Sequence, residues 1–394
     1  MMDRIVVVGA SLAGTSAART LRSEGFAGEL TVVGDEAHPP YDRPPLSKEF
    51  LTGTKAASDL AIPGLVDLDI EWKLGVRAES VDLDRRVLRA AGATIDFDGM
   101  VIATGVRPRV LPGLEPNGED VFALRTLRDS EQLRAALVAG RRLLVVGSGF
   151  IGVEVATSAR EMGCQVTIVS LEAPLAVAGT TVSSVCSAKL EDLQVDVLTG
   201  CHVVSTQLDR DGARVALLDD GRRVTHDIVL VAVGSLPNVE WLDGNGLMLD
   251  DGVLCDEACA VVGFSDVVAA GDIARWPNFA FGGVPMRVEH WSNAIDQGAA
   301  AARTLLQGAS RQTAFGSVPS FWSDHCGVRL QSVGLPHLSD SFELIDGSYE
   351  EHCYAVAAYR QGTLVGGQTY GIPRAMAQLR IQLAAQTHRE ATSA

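Results

Sequence analysis

Ile5-Val-Val-Val8, an unbroken β-branched run, opens the chain and leads into Gly9-Ala-Ser-Leu-Ala-Gly14. The same grammar returns at Leu143-Leu-Val-Val146, followed by Gly147-Ser-Gly-Phe-Ile-Gly152. A continuous apolar run predicts a strand buried on both faces, and the small residues after each glycine turn predict a helix packed closely against it. Both predicted helices stop at a glycine, Gly25 and Gly163, and second apolar strands follow at Leu30–Val33 and Val166–Val169. One βαβ unit is therefore used twice. Two more apolar strands, Val101-Ile-Ala-Thr-Gly105 and Ile228-Val-Leu-Val-Ala-Val-Gly234, each reach a glycine and then a proline, and Val267-Val-Ala-Ala-Gly-Asp272 closes on an acid.

From Ala314 the rhythm changes to alternation. Strands are predicted at Gly327–Val333, Phe342–Ile345, Tyr354–Tyr359 and Leu364–Tyr370, with a hairpin turn at Arg360-Gln-Gly362. Pro373 suits a first helical turn, and Met376, Leu379 and Leu383 recur on one helical face. The expected architecture is α/β, with two Rossmann-like dinucleotide-binding domains and a C-terminal α+β domain. The expected divisions are 1–110 with 240–313, 111–239, and 314–394.

A glycine after the first strand of such a unit permits a tight turn, and the next allows the backbone to approach a pyrophosphate. The second copy keeps Gly147, Gly149 and Gly152, so a helix starting near Phe150 and Ile151 can offer free N–H groups to a phosphate. In the first copy Ser11 replaces the middle glycine, between Gly9 and Leu12-Ala13-Gly14. A carboxylate that accepts ribose hydroxyls belongs at the end of the second strand; Asp35 is preferred there over Glu36. In the second unit that position is Ser170, with Glu172 beyond it and no Lys or Arg from 172 to 179, which favours NADH over NADPH.

Composition narrows the partner. The 394 residues include 40 glycines, in keeping with many turns and close backbone approaches, and carry 33 basic against 49 acidic side chains, a net −16. That balance argues against nucleic acid or an anionic membrane, which need clustered cations. Seven scattered cysteines without a C-x-x-C suggest a reducing compartment, and Cys255-Asp-Glu-Ala-Cys259 has neither thioredoxin nor zinc-knuckle spacing, so no metal is expected. Met1-Met2-Asp3-Arg4 leads straight into a strand and no apolar run reaches about 18 residues, so the expectation is a cytoplasmic protein without a membrane span.

The paired glycine folds and Gly271-Asp272 resemble the glutathione-reductase-like flavoproteins with two dinucleotide-binding domains. Pro39-Pro-Tyr-Asp-Arg-Pro-Pro-Leu-Ser-Lys48, Glu289-His-Trp-Ser-Asn293 and Phe321-Trp-Ser-Asp324 narrow this to a resemblance with the ferredoxin and rubredoxin reductases of bacterial oxygenase systems. The resemblance implies FAD in the first fold, NADH in the second, and electron delivery to a small ferredoxin or rubredoxin. It implies that Lys48 sits at the flavin N5 and pairs with Glu154. It also places Arg43, Ala78, Ala103, Thr104, Gly105, Arg125, Gly271, Asp272, Glu289, His290 and Trp291 around FAD, and Val233 and Gly234 around the nicotinamide nucleotide. For Asp272 a helix cap, and for Trp291 a core position, remain equally open on the residues alone. Tyr41 to Leu60 contains no cysteine, where disulfide reductases of this fold carry a C-x4-C pair. A monomer or weak homodimer is expected, with Arg329, Arg374 and Arg380 as carrier-docking cations. Two other readings stay open: a flavin-dependent NADH oxidase or small-acceptor reductase, and an NADH-sensing flavoprotein.

Overall fold

The computed structural model describes residues 2–308 and 313–393. Arg4–Val8 is the middle strand of a five-stranded parallel sheet in the order Val267–Ala269, Gly99–Ile102, Arg4–Val8, Glu29–Gly34, Glu71–Leu74. Apart from the half-exposed edge strand Glu71–Leu74, its strands are buried on both faces, as an unbroken run of Val and Ile demands. The Val267–Ala269 strand joins this sheet from beyond the second repeat, so the first fold is completed by chain that returns late. The helices Leu12–Ser23 and Trp291–Gln307 pack together on one face, where Gly298 lets the backbones close: a Cβ there would lie 2.4 Å from Ala13 O.

The second repeat builds a second parallel sheet, ordered Asp196–Thr199, Gln165–Ser170, Arg142–Val146, Ile228–Val231, Val121–Phe122. The two units agree to the hydrogen bond. Gly9 N donates to Val33 O and Gly147 N to Val169 O, both at 2.8 Å. Between them runs a two-stranded ribbon, Val106–Pro108 against Ser235–Pro237, so the paired Gly-then-Pro segments of the sequence form the crossing between folds. Three short sheets flank the two folds, two antiparallel, including Ala78–Asp82, Val87–Ala90, Ala93–Asp96, and one mixed; the apolar pattern did not reveal these.

The C-terminal residues form an antiparallel sheet in the order Ser320–His325, Val328–Gly334, Thr363–Tyr370, Cys353–Arg360, Ser341–Ser348, covered by the helix Pro373–Ser393. The hairpin turn falls at Gln361 and Gly362, both with positive φ. Met376, Leu379 and Leu383 are buried beneath the helix, as their spacing predicts. The first strand, Ser320–His325, was not read from the sequence and contributes most to the site.

Candidate functional site

Each glycine crevice is shaped by what a side chain would strike. A Cβ on Gly9 would stand 2.1 Å from Ala103 O, and one on Gly14 would stand 1.8 Å from Gly9 O. The second crevice repeats this: 2.3 Å from Gly147 to Ala232 O, and 2.3 Å from Gly152 to Gly147 O. Only glycine lets strand, turn and helix approach so closely, and the helices Leu12–Ser23 and Phe150–Glu161 begin there with no acidic residue in their first turns. Their N-terminal N–H groups are thus free to meet an anion.

Around the first crevice, Arg43 gathers several elements. Its guanidinium donates to Ser11 Oγ at 3.2 Å, Tyr41 Oη at 3.1 Å, Arg125 O at 2.6 Å and Glu36 Oε1 at 2.6 Å. Burial opposes its charge, but Tyr41, Glu36 and Asp272 outweigh that and raise its pKa. Arg125 in turn pairs with Asp272 Oδ2 at 2.8 Å. Ser11, Arg43, Arg125 and Asp272 therefore converge. After the strand end the structure brings Glu36 into this network, whereas Asp35 is exposed.

Gly271, at φ +77°, sits where a Cβ would lie 2.7 Å from Ala13, and Gly271 N donates to Gln297 Oε1 at 2.9 Å. Asp272 belongs to a short 3-10 turn, Gly271–Ile273, and caps no α-helix. Trp291 is the first residue of its helix, 37% exposed, with Nε1 donating to Asp42 Oδ1 at 3.0 Å, so it is not a core residue. His290 packs on Phe321, and burial lowers its pKa to about 4, so its imidazole is neutral at pH 7. His290 Nδ1, Asn293 Oδ1 and Gln297 Nε2 are buried without protein hydrogen-bond partners. Buried polar atoms of this kind, beside a glycine cradle, fit a polar ligand that completes them. Glu289 accepts from Ser235 Oγ at 2.6 Å and from Arg287. Thr104 Oγ1 donates to Asn238 O at 3.0 Å, Gly105 takes φ +62°, and Ala78 packs beside the Leu88 and Phe97 core.

In the second crevice, Ser170 and Ser148 hydroxyls both donate to Glu172 O, fixing the turn after the strand while the Glu172 side chain stays exposed. Phe150 meets Phe321 edge-on at 4.9 Å, and Ile151 is 42% exposed. Val233 and Gly234 close the neighbouring strand, Gly234 with positive φ.

Besides Arg125–Asp272, a second charged pair joins the two folds, and it is buried. Pro44–Ser47 is a 3-10 turn that leaves Lys48 pointing at the Phe150–Glu161 helix, and Lys48 Nζ lies 2.9 Å from Glu154 Oε2. The Glu154 side chain is 5% exposed and that of Lys48 14%. Ser47 Oγ also donates to Oε2, and Ser323 Oγ donates to Oε1 at 2.7 Å. The same helix holds the Lys48 loop through Ser158 Oγ to Ser47 O at 2.7 Å, and holds the C-terminal sheet through Thr157 and Cys326. Ser47, Ser158, Ser323 and His325 were not singled out by sequence reasoning. Of these, Ser47 and Ser323 lay inside motifs that could have drawn attention, Pro39 to Lys48 and Phe321-Trp-Ser-Asp324.

All seven cysteines are free, and Cys255 and Cys259 are buried with raised pKa values because burial disfavours their thiolates. Among the described residues no helix is long and apolar enough to cross a membrane. Of the proposed docking cations, Arg329 is paired bidentately with Asp324 and Arg374 with Asp346, while Arg380 is exposed.

Two glycine-cradled dinucleotide folds joined by a buried Lys–Glu pair, with no thiol in the Lys48 segment, define a two-dinucleotide oxidoreductase. The chain belongs to the pyridine nucleotide-disulphide oxidoreductase family, whose model matches residues 3–298, and a reductase C-terminal model matches residues 320–394. It is 35% identical over 390 residues to the ferredoxin–NAD(+) reductase component of the p-cumate 2,3-dioxygenase system of Pseudomonas putida, covering 96% of this chain and 92% of that one. It is 31% identical to the rubredoxin–NAD(+) reductase of Pseudomonas putida, covering 94% of this chain and 96% of that one. The covalent putidaredoxin reductase–putidaredoxin complex contains a chain that superposes with a TM-score of 0.89 at 30% identity, covering 97% of this chain and 93% of that one. The α/β fold, the family and the oxidoreductase class expected from the sequence are borne out.

Proposed function

We propose that this protein takes a hydride from NADH and passes the electrons, through FAD, to a small ferredoxin or rubredoxin that feeds an oxygenase. The observation that carries the reading is the buried Lys48–Glu154 pair joining the two folds, with no cysteine in the 41–60 segment to divert electrons into thiols. FAD, when bound, supplies the step from a two-electron donor to a one-electron acceptor.

The protein's own residues then do the positioning. Gly9, Ser11, Leu12, Ala13 and Gly14 hold the FAD pyrophosphate at a helix N-terminus. Arg43 and Arg125 supply cations to it, and Glu36, joined to Arg43, is better placed than Asp35 to take ribose hydroxyls. Gly147, Gly149 and Gly152 cradle NADH. Glu154 orients the Lys48 ammonium, whose charge favours the reduced flavin. Residues 1–110 and 240–313 form the FAD-binding part, 111–239 the NADH-binding part, and 314–394 the cover over the flavin. The cell location proposed is the cytoplasm.

Anaerobic titration of the purified protein with NADH, followed by addition of oxidised ferredoxin or rubredoxin, tests the reading. Bleaching of a flavin spectrum and stoichiometric reduction of an added carrier are expected. A protein that releases no FAD on acid precipitation, or whose reduced form passes electrons to oxygen but to no carrier, would refute it.

A further inference from the structure

Glu154 Oε1 is the end of a longer chain of buried groups. Ser323 and His325 lie two residues apart on the Ser320–His325 strand, so both project from the same face, and Tyr370 ends a strand two positions across the sheet. Ser323 Oγ is 2.7 Å from Glu154 Oε1 and 3.4 Å from His325 Nδ1, and His325 Nε2 is 3.1 Å from Tyr370 Oη. Ser323, His325 and Tyr370 are 1%, 2% and 0% exposed, so water cannot substitute for a missing partner without a cost.

Proton counting gives this chain one direction. A carboxylate only accepts, so the Ser323 hydrogen is spent on Glu154. The oxygen of Ser323 can then only accept from its other neighbour, which requires hydrogen on His325 Nδ1. In the neutral ring Nε2 is then an acceptor, and Tyr370 must donate to it. Burial lowers the His325 pKa to about 4 and keeps the ring neutral at pH 7, as this arrangement needs.

We propose that Tyr370, His325 and Ser323 form a one-way hydrogen-bond chain that acts as a positioning device, holding Glu154, and through it Lys48, in one geometry at the junction of the two folds. The C-terminal sheet thereby sets the reducing centre rather than merely covering it. This rests on the reductase reading only for its kinetic arm. The chain's direction makes a further demand. In Glu154→Gln the amide oxygen must face the obligatory donor Lys48, so the NH2 faces Ser323. Ser323 then accepts from it and donates to Nδ1, and hydrogen moves to His325 Nε2.

The test is a long-range 1H–15N correlation spectrum of the FAD-loaded protein labelled at histidine, the His325 resonances being assigned by their loss in His325→Gln. The expected result is hydrogen on Nδ1 in the wild type and on Nε2 in Glu154→Gln. Hydrogen on Nε2 in the wild type, or averaging between the two sites, overturns the proposal, and this arm needs no turnover. In anaerobic stopped flow, Ser323→Ala should slow flavin reduction at saturating NADH ~10-fold, the loss of one hydrogen bond to a charged group, with unchanged NADH affinity. Ser323→Thr, which keeps the hydroxyl, should restore the rate. A Ser323→Ala rate equal to wild type, or a Ser323→Thr rate as low as that of Ser323→Ala, also overturns it. Failure to reduce any carrier, with the predicted tautomers observed, would instead count against the reductase reading.

Discussion

Replacing Glu154 by Gln keeps the volume of the side chain and removes its charge. In the structure this strands the Lys48 ammonium, whose side chain is 14% exposed, beside a neutral amide. Removing one partner of a buried pair costs about 3–5 kcal/mol, and the residual exposure of Lys48 puts this case near ~3 kcal/mol. At roughly 2–4 °C per kcal/mol for larger domains, the apparent Tm should fall by about 6–12 °C. Flavin reduction by NADH should slow by ~10²-fold, the usual consequence of losing one preorganised electrostatic group. Lys48→Met removes the other charge, so the double variant carries no stranded ammonium and should be more stable than Glu154→Gln alone. Thermal unfolding of the four proteins of this cycle gives the coupling, expected at about 2–3 kcal/mol. If the two substitutions add within ~0.5 kcal/mol, or if Glu154→Gln reduces at the wild-type rate, the pair is not the functional junction.

NADH should exceed NADPH in kcat/KM, and Glu172→Arg should narrow the gap by replacing a repelling carboxylate with a cation for a 2′-phosphate; steady-state kinetics that show equal use by the unmodified protein would remove Glu172 from the ribose site. Because burial depresses the His325 pKa to about 4, below its unfolded value, this residue's stabilising contribution is present above pH 6.5 and is lost as pH falls towards 4. From pH 7 to 5, denaturant titrations should therefore show His325→Gln losing roughly 2 kcal/mol less stability than wild type; equal losses would mean the imidazole protonates freely in the fold. Arg374→Glu with Arg380→Glu should weaken the salt dependence and rate of carrier reduction while ferricyanide reduction stays normal. Unchanged carrier kinetics would place docking elsewhere.

The two folds were legible because their signals are local and periodic. Ile5 to Gly14 and Leu143 to Gly152 each contain strand, turn and helix within ten residues, and the backbone approaches at Gly9 and Gly147 leave no choice of residue. Lys48 and Glu154 were legible through the resemblance, being 106 positions apart. Asp35 against Glu36 was harder for a geometric reason: both lie in the bend after the Glu29–Gly34 strand, where no regular alternation sets side-chain direction, so counting from Gly9 cannot decide which carboxylate faces the crevice. Tyr41 and Arg43 decide it by binding Glu36. Ser323 lay inside the Phe321-Trp-Ser-Asp324 motif, but the Ser320–His325 strand was not read from the sequence, so nothing local joined Ser323 to His325 and Tyr370. They become interior only when the C-terminal sheet docks on the Phe150–Glu161 helix.

That helix explains how three units can act as one centre. Its N-terminus faces the second crevice, Glu154 lies in its second turn, and Thr157 and Ser158 follow one turn on, bonding Cys326 and Ser47 from two different parts of the chain. A displacement of the helix by nucleotide binding would be felt simultaneously by the Lys48 loop and the Ser320–His325 strand. Packed interiors transmit such shifts rather than absorb them. Glu154 thus stands where the nucleotide fold, the Lys48 segment and the C-terminal sheet share one rigid element, and a carboxylate of that fold with two donors from the Lys48 segment and one from the C-terminal sheet holds all of them to a single geometry.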